Sequence, residues 1–168
     1  GFAASIRSTD PTLDGFHFSG NAGADNGLNA IYLEGTLGTT DIKANGGLPY
    51  VFQSLIVGAG ETVTVKPGVV FKALRRDPGA IGLFSVAGSL QVAGSGSDPV
   101  YFTSVHDDSV GGDTDGSPWT PLPGDWAGII VQPDGQADLG FCSIVYAGTS
   151  EAGALYNLGQ LGVENSLI

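Results

Sequence analysis

The feature that most constrains this chain is a short pattern that returns at a fixed distance. Leu139-Gly140-Phe141-Cys142-Ser143-Ile144 aligns with Val163-Glu164-Asn165-Ser166-Leu167-Ile168 at an offset of 24 residues, both reading apolar, x, x, small, x, Ile. Leu13-Asp14-Gly15-Phe16-His17-Phe18 has a similar shape with larger residues. Val63-Thr64-Val65 and Leu90-Gln91-Val92 recur at 27 residues, each led by a glycine turn (Gly60, Gly88) and followed by another (Gly68, Gly94). A sandwich explains many short strands but not a recurrence. Stacked layers demand one, because each layer buries its inward residues on those of the layer before.

The rest of the chain fits short strands and no helix. Apolar residues fall in groups of three to seven, among them Asn29–Leu33, Tyr50–Phe52, Leu55–Val57, Val69–Phe71, Leu83–Val86, Val100–Phe102, Gly128–Val131 and Phe141–Tyr146. They are mostly rich in β-branched and aromatic residues and separated by Gly, Pro, Asn, Asp and Ser. With 28 glycines and only 14% charged residues, long helices would lack a solvated face. The expectation is an all-β chain, a single-stranded right-handed parallel β-helix or solenoid. It would be one domain over residues 1–168 with roughly six or seven coils, by chain length over the offsets.

From Leu48 to Gly148 the chain resembles the repeat modules of large secreted bacterial and archaeal surface proteins with right-handed β-helices. The residues that carry the resemblance are Thr62-Val63-Thr64-Val65-Lys66-Pro67-Gly68-Val69-Val70-Phe71-Lys72, Phe84–Leu90, Pro99–Ser104, Asp107–Thr114, Gly124–Ile129 and Ile144–Gly148. The resemblance implies the fold and an extracellular or cell-surface location. It implies no reaction.

Charge excludes one class of partner. Six Lys and Arg face 17 Asp and Glu, a formal net charge of −11, and no basic face is visible to neutralise phosphates. Nucleic acid is therefore not a partner. All six basic residues lie at or before Arg76, so the second half carries the net charge. That asymmetry suits either cation binding and electrostatic steering or a plain acidic surface. No apolar run is long enough to span a membrane. Cys142 is the only cysteine, excludes an internal disulfide, and reads as a small buried residue.

Chemistry concentrates in the segment 105–125. His106, Asp107, Asp108, Asp113, Asp115 and Asp125 are interleaved there with Gly111, Gly112, Gly116, Ser117 and Gly124. Calcium takes six to eight oxygen ligands on such loops, so Asp107, Asp108, Asp113, Asp115 and Asp125 are its candidate ligands. The spacing is not that of an EF-hand, and a solvated excursion with Asp and Gly in turns is the other reading. Trp126 is expected to plug the edge of a coil. Trp119 is expected either to pack the loop down or to stack on a sugar ring.

Catalysis is not expected. No G-x-S-x-G, CxxC or H-E-x-x-H occurs, and neither histidine has a nucleophile near it in sequence. Arg75-Arg76 leads into Asp77-Pro78-Gly79 and reads as a solvated turn leaving the stack. The end of one copy would read on into the start of another, Val163 running to the Leu13 of the next. The expected function is a structural unit of an extracellular filament, sheath or stalk. It would associate head to tail with copies of itself, with Gly1, Phe2, Ile6, Val163, Ser166 and Ile168 at the joining ends. The alternative is a polysaccharide-binding adhesin module working through the acidic loop, with a polysaccharide-active enzyme as the third reading.

Overall fold

Inward Val, Leu, Ile and Phe alternate with outward polar residues along short strands, and among the described residues every ladder but one short local pair is parallel. The computed structural model describes residues 1–7, 19–76, 80–149 and 152–168. The expectations for Leu13–Phe18, His17 and Asp77-Pro78-Gly79 lie outside these residues. Among those described the strands are β1 (Phe2–Arg7), β2 (Leu28–Leu37), β3 (Thr40–Ile42), β4 (Tyr50–Phe52), β5 (Ser54–Val57), β6 (Thr62–Val65), β7 (Val70–Ala73) and β8 (Arg75–Arg76). They continue as β9 (Ala80–Val86), β10 (Ser89–Ala93), β11 (Val100–Ser104), β12 (Trp126–Val131), β13 (Gln136–Gly140), β14 (Cys142–Ile144), β15 (Leu155–Asn157) and β16 (Gln160–Glu164). No helix occurs among them, so none could cross a membrane.

The all-β expectation stands, but the single-stranded β-helix of six or seven coils is corrected. The strands gather into an eleven-stranded sheet, ordered β14-β11-β7-β4-β2-β5-β9-β12-β15 with β1 and β8 off this path, and a separate five-stranded parallel sheet, β16-β13-β10-β6-β3. The larger sheet curls as a half-barrel about the core. Its cause is β2, a single ten-residue strand that serves both arms. Ile31 and Tyr32 pair with β4, while Gly35, Thr36 and Leu37 pair with β5. Gly35, at φ 111°, makes the bend between them, a conformation closed to side chains. The strand expected over Asn29–Leu33 thus continues through Gly35 to Leu37. Arg75-Arg76, expected as a solvated turn, is β8 and pairs antiparallel with β9.

The offsets read from sequence are pairing registers in the smaller sheet. Leu139 lies opposite Val163, and Val63 opposite Leu90. This sheet runs in chain order from β3 to β16, so sequence position becomes position along the stack. The asymmetry of charge along the chain is thereby an asymmetry in space.

The glycines at the corners act in two ways. Gly60 and Gly68 have φ of 78° and 76°, the left-handed turns expected. Gly88, Gly135 and Gly159, which precede β10, β13 and β16, are needed for closeness instead. A Cβ on Gly88 would collide with the Gly58 and Glu61 carbonyl oxygens, and one on Gly159 with those of Gln132 and Gly135. They let one layer's backbone rest on the next, where Gln136 N donates to Gly88 O at 2.8 Å and Gln160 N to Gly135 O at 3.0 Å.

Inside, Phe52, Phe71, Phe84, Phe102 and Trp126 form one aromatic cluster, all fully buried. Trp126 is therefore a central core residue, not an edge plug. Its indole donates to Val145 O at 2.9 Å, which satisfies its one polar atom. Cys142 is buried as expected, with Ser166 Oγ 3.4 Å from its sulfur.

Candidate functional site

The segment between β11 and β12 leaves the sheet as a single excursion, and its base is sewn to the strand it leaves. Thr103 Oγ1 donates to Asp107 Oδ2 at 2.6 Å, and Ser104 Oγ to Asp125 Oδ2 at 2.8 Å. Asp107 also accepts from the backbone N–H of Ser109 at 3.1 Å, and Asp125 from that of Leu122 at 3.0 Å. Both aspartates are buried. Two of the five expected calcium ligands thus spend carboxylate oxygens on the fold. The other three, Asp108, Asp113 and Asp115, come together, with one oxygen of each within 4.8 Å of the others.

Beneath the excursion lies a lysine that hydropathy places at the surface. Phe71 points into the core, so strand alternation turns Lys72 to the outside of β7. There the loop covers it completely. Its Nζ donates to the backbone oxygens of Asp107 at 2.8 Å and Gly112 at 2.6 Å. Gly111 and Gly112, at φ 67° and 72°, turn the chain over the lysine stem, and a Cβ on Gly111 would stand 3.4 Å from Lys72 Cε. Burial pushes the ammonium pKa down, against the pull of Asp107, Asp108, Asp115 and Asp113.

A second knot ties the loop to itself. His106 Nδ1 lies 2.7 Å from Asp115 Oδ2, and Ser117 Oγ donates to the same carboxylate oxygen at 2.9 Å. Burial works against the Asp115 charge. Hydrogen bonds from the Ser117 N–H and hydroxyl, with His106 beside them, outweigh it and hold the carboxyl below its usual range. Sequence reasoning found no nucleophile beside a histidine, and the fold does bring Ser117 to His106. Yet Ser117 Oγ sits 3.4 Å from Nδ1, the nitrogen that already faces the carboxylate. A Ser-His-Asp relay needs the serine at the opposite nitrogen. The arrangement is a brace for the loop, and no local sequence signal announced it across eleven residues.

Trp119 does not pack the loop down. It is 70% exposed, in the run Ser117-Pro118-Trp119-Thr120-Pro121-Leu122-Pro123, with Leu122 exposed beside it. An open groove of about 520 Å³, which neither Trp119 nor Leu122 lines, is bordered by Ile81, Pro123, Gly124, Ala147, Gly148 and Ala154 among others. None of its described lining residues is ionisable.

The expected joining residues have mixed fates. Phe2 stacks on Tyr32, centroids 4.8 Å apart, and Ile6 packs against the core from β1. Gly1 accepts from the N–H of Leu28 at 3.1 Å. Ser166 Oγ donates to Glu164 O at 2.8 Å and accepts from Cys142 N at 3.0 Å, so it is engaged within the fold. Val163 and Ile168 stand exposed at the β16 side. No protein-family model, curated protein or solved structure matches the chain.

Proposed function

We propose that this protein is a structural unit of an extracellular assembly, joined to copies of itself by adding parallel strands at the β14–β15–β16 side. The observation that supports this reading is an unfilled core column. Val65, Val92 and Leu139 are buried one above another in the smaller sheet. Val163 is the next member of that column and is 41% exposed. Tyr156, Leu158, Leu167 and Ile168 are exposed on the same side. An edge strand with apolar side chains and unpaired backbone groups favours pairing with another strand. Charge sets the direction. The acidic half repels its own kind, so head-to-tail contact is favoured over tail-to-tail. The resemblance of Leu48–Gly148 to surface-protein repeats supports the extracellular placement.

Negative-stain electron microscopy over a concentration series tests it. Filaments with a uniform axial repeat, shortened by Val163→Asp, are the expected result. Monodisperse particles at every concentration would reject it. A second reading, polysaccharide binding, is favoured by the exposure of Trp119 on a loop braced at two points. Affinity electrophoresis against a panel of polysaccharides checks it: retardation abolished by Trp119→Ala supports sugar stacking, and none in the whole panel removes it.

A further inference from the structure

We propose that Lys72 is the resident cation of the acidic excursion, so that the loop is ordered by a tethered ammonium in the position a metal ion would otherwise fill. A loop of carboxylates and backbone carbonyls folded around glycines has its oxygens crowded together, and their repulsion must be offset by a positive charge. Calcium does so by gathering those oxygens about itself. Here the positive charge arrives from β7. The Lys72 ammonium is fully buried and takes two backbone carbonyls as acceptors, Asp107 O and Gly112 O, one on each side of the Gly111 turn. Carbonyls offered by a loop to a cation are the same donors that calcium loops use. The negative charges of Asp107, Asp108, Asp115 and Asp113 favour the ammonium against its burial.

The stem matters as much as the head. Gly111 lies against Lys72 Cε: its φ of 67° disfavours a side chain, and a Cβ there would stand 3.3 Å from Val70 Cγ1 and 3.4 Å from both Lys72 Cε and Pro49 Cβ. The loop is therefore shaped to a lysine of this length. A buried ammonium without acceptors would be costly, and without the lysine the Asp107 carbonyl would lose this donor while Gly112 O would keep the Thr114 hydroxyl, 3.2 Å away. The lysine and the loop are thereby coupled. The Asp107 and Asp125 bonds fix the loop's base, and Lys72 fixes its crown.

Hydrogen exchange read by mass spectrometry on the whole chain tests this. In Lys72→Met, which keeps the stem and removes the charge, amides of residues 107–117 should exchange at least about 10-fold faster, as expected for losing hydrogen bonds to a charged group. The β10 and β13 amides should be unchanged. Equal protection of the loop in Lys72→Met and the unsubstituted protein would overturn the proposal. The unsubstituted protein supplies an independent arm should the variant fail to fold. Its loop protection should be the same in EGTA and in millimolar calcium. A loop that loosens on chelation, or gains 10-fold protection on adding calcium, would overturn the proposal and assign the loop to the metal.

Discussion

Phe71 and Phe102 stack face to face in the core, centroids 5.1 Å apart and 10° from parallel, although 31 residues separate them. They are direct register partners on β7 and β11, so the ring pair is the inward expression of the ladder itself. Replacing either with alanine should cost about 3–5 kcal/mol, since the cavity would lie inside the aromatic cluster. A double-mutant cycle in urea should show a coupling of roughly 0.5–1.5 kcal/mol beyond the area lost. Additive single losses would mean that the stacking contributes nothing of its own.

Gly135→Ala should be among the most damaging single-methyl additions. The new Cβ would enter the carbonyl oxygens of Val86 and Gln132, which are backbone and cannot swing aside. A loss of about 3 kcal/mol or more is expected, read as a fall in the urea midpoint. Gly112→Ala offers the contrast. It meets nothing within 4 Å and carries only the strain of its φ of 72°, so about 1–2 kcal/mol is expected.

Alkaline stability should turn on Tyr50. Burial, opposed by the hydrogen bond from Asn45, pushes its hydroxyl up to about 12 from the usual 10.0. Between these values the unfolded chain loses its proton first and so binds fewer protons than the folded one. The contribution of Tyr50 to stability is then constant below pH about 10 and falls as pH rises towards 12. Thermal unfolding across that window should show the fall, and Tyr50→Phe should flatten it. That variant starts lower by about 1 kcal/mol, having lost the 2.9 Å bond to Lys43 O.

Cys142 should be chemically silent in the native protein. Burial raises its thiol pKa, and the Ser166 hydrogen bond opposes this only in part. At pH 8 iodoacetamide should react at least about 100-fold more slowly with the folded chain than with the same chain in urea. Equal rates would show that the β14 side opens readily.

What could be read from the sequence was whatever repeats. The registers Leu139 to Val163 and Val63 to Leu90 were visible because both partners are inward residues of one parallel ladder, and parallel ladders preserve spacing. What could not be read was where one strand serves two arms. Asn29–Leu33 read as a complete strand, whereas β2 runs on through the Gly35 bend to Leu37. The burial of Lys72 was equally hidden, since the cover comes from a loop more than thirty residues on. Hydropathy assigns lysine to solvent one residue at a time. Of the two expectations for Trp119, packing the loop down is set aside by its 70% exposure. The five aspartates all lie between β11 and β12, but their contacts differ. Only contacts with Thr103 and Ser104 separate Asp107 and Asp125, which hold the base, from the three that meet at the surface.

Strand order that follows chain order has a consequence for how damage spreads in the smaller sheet. There β10 pairs with β6 and β13, and β13 with β10 and β16. A lesion in one of these ladders bears first on the strands beside it, so neighbours in the sheet are hit in the order in which the chain lays them down.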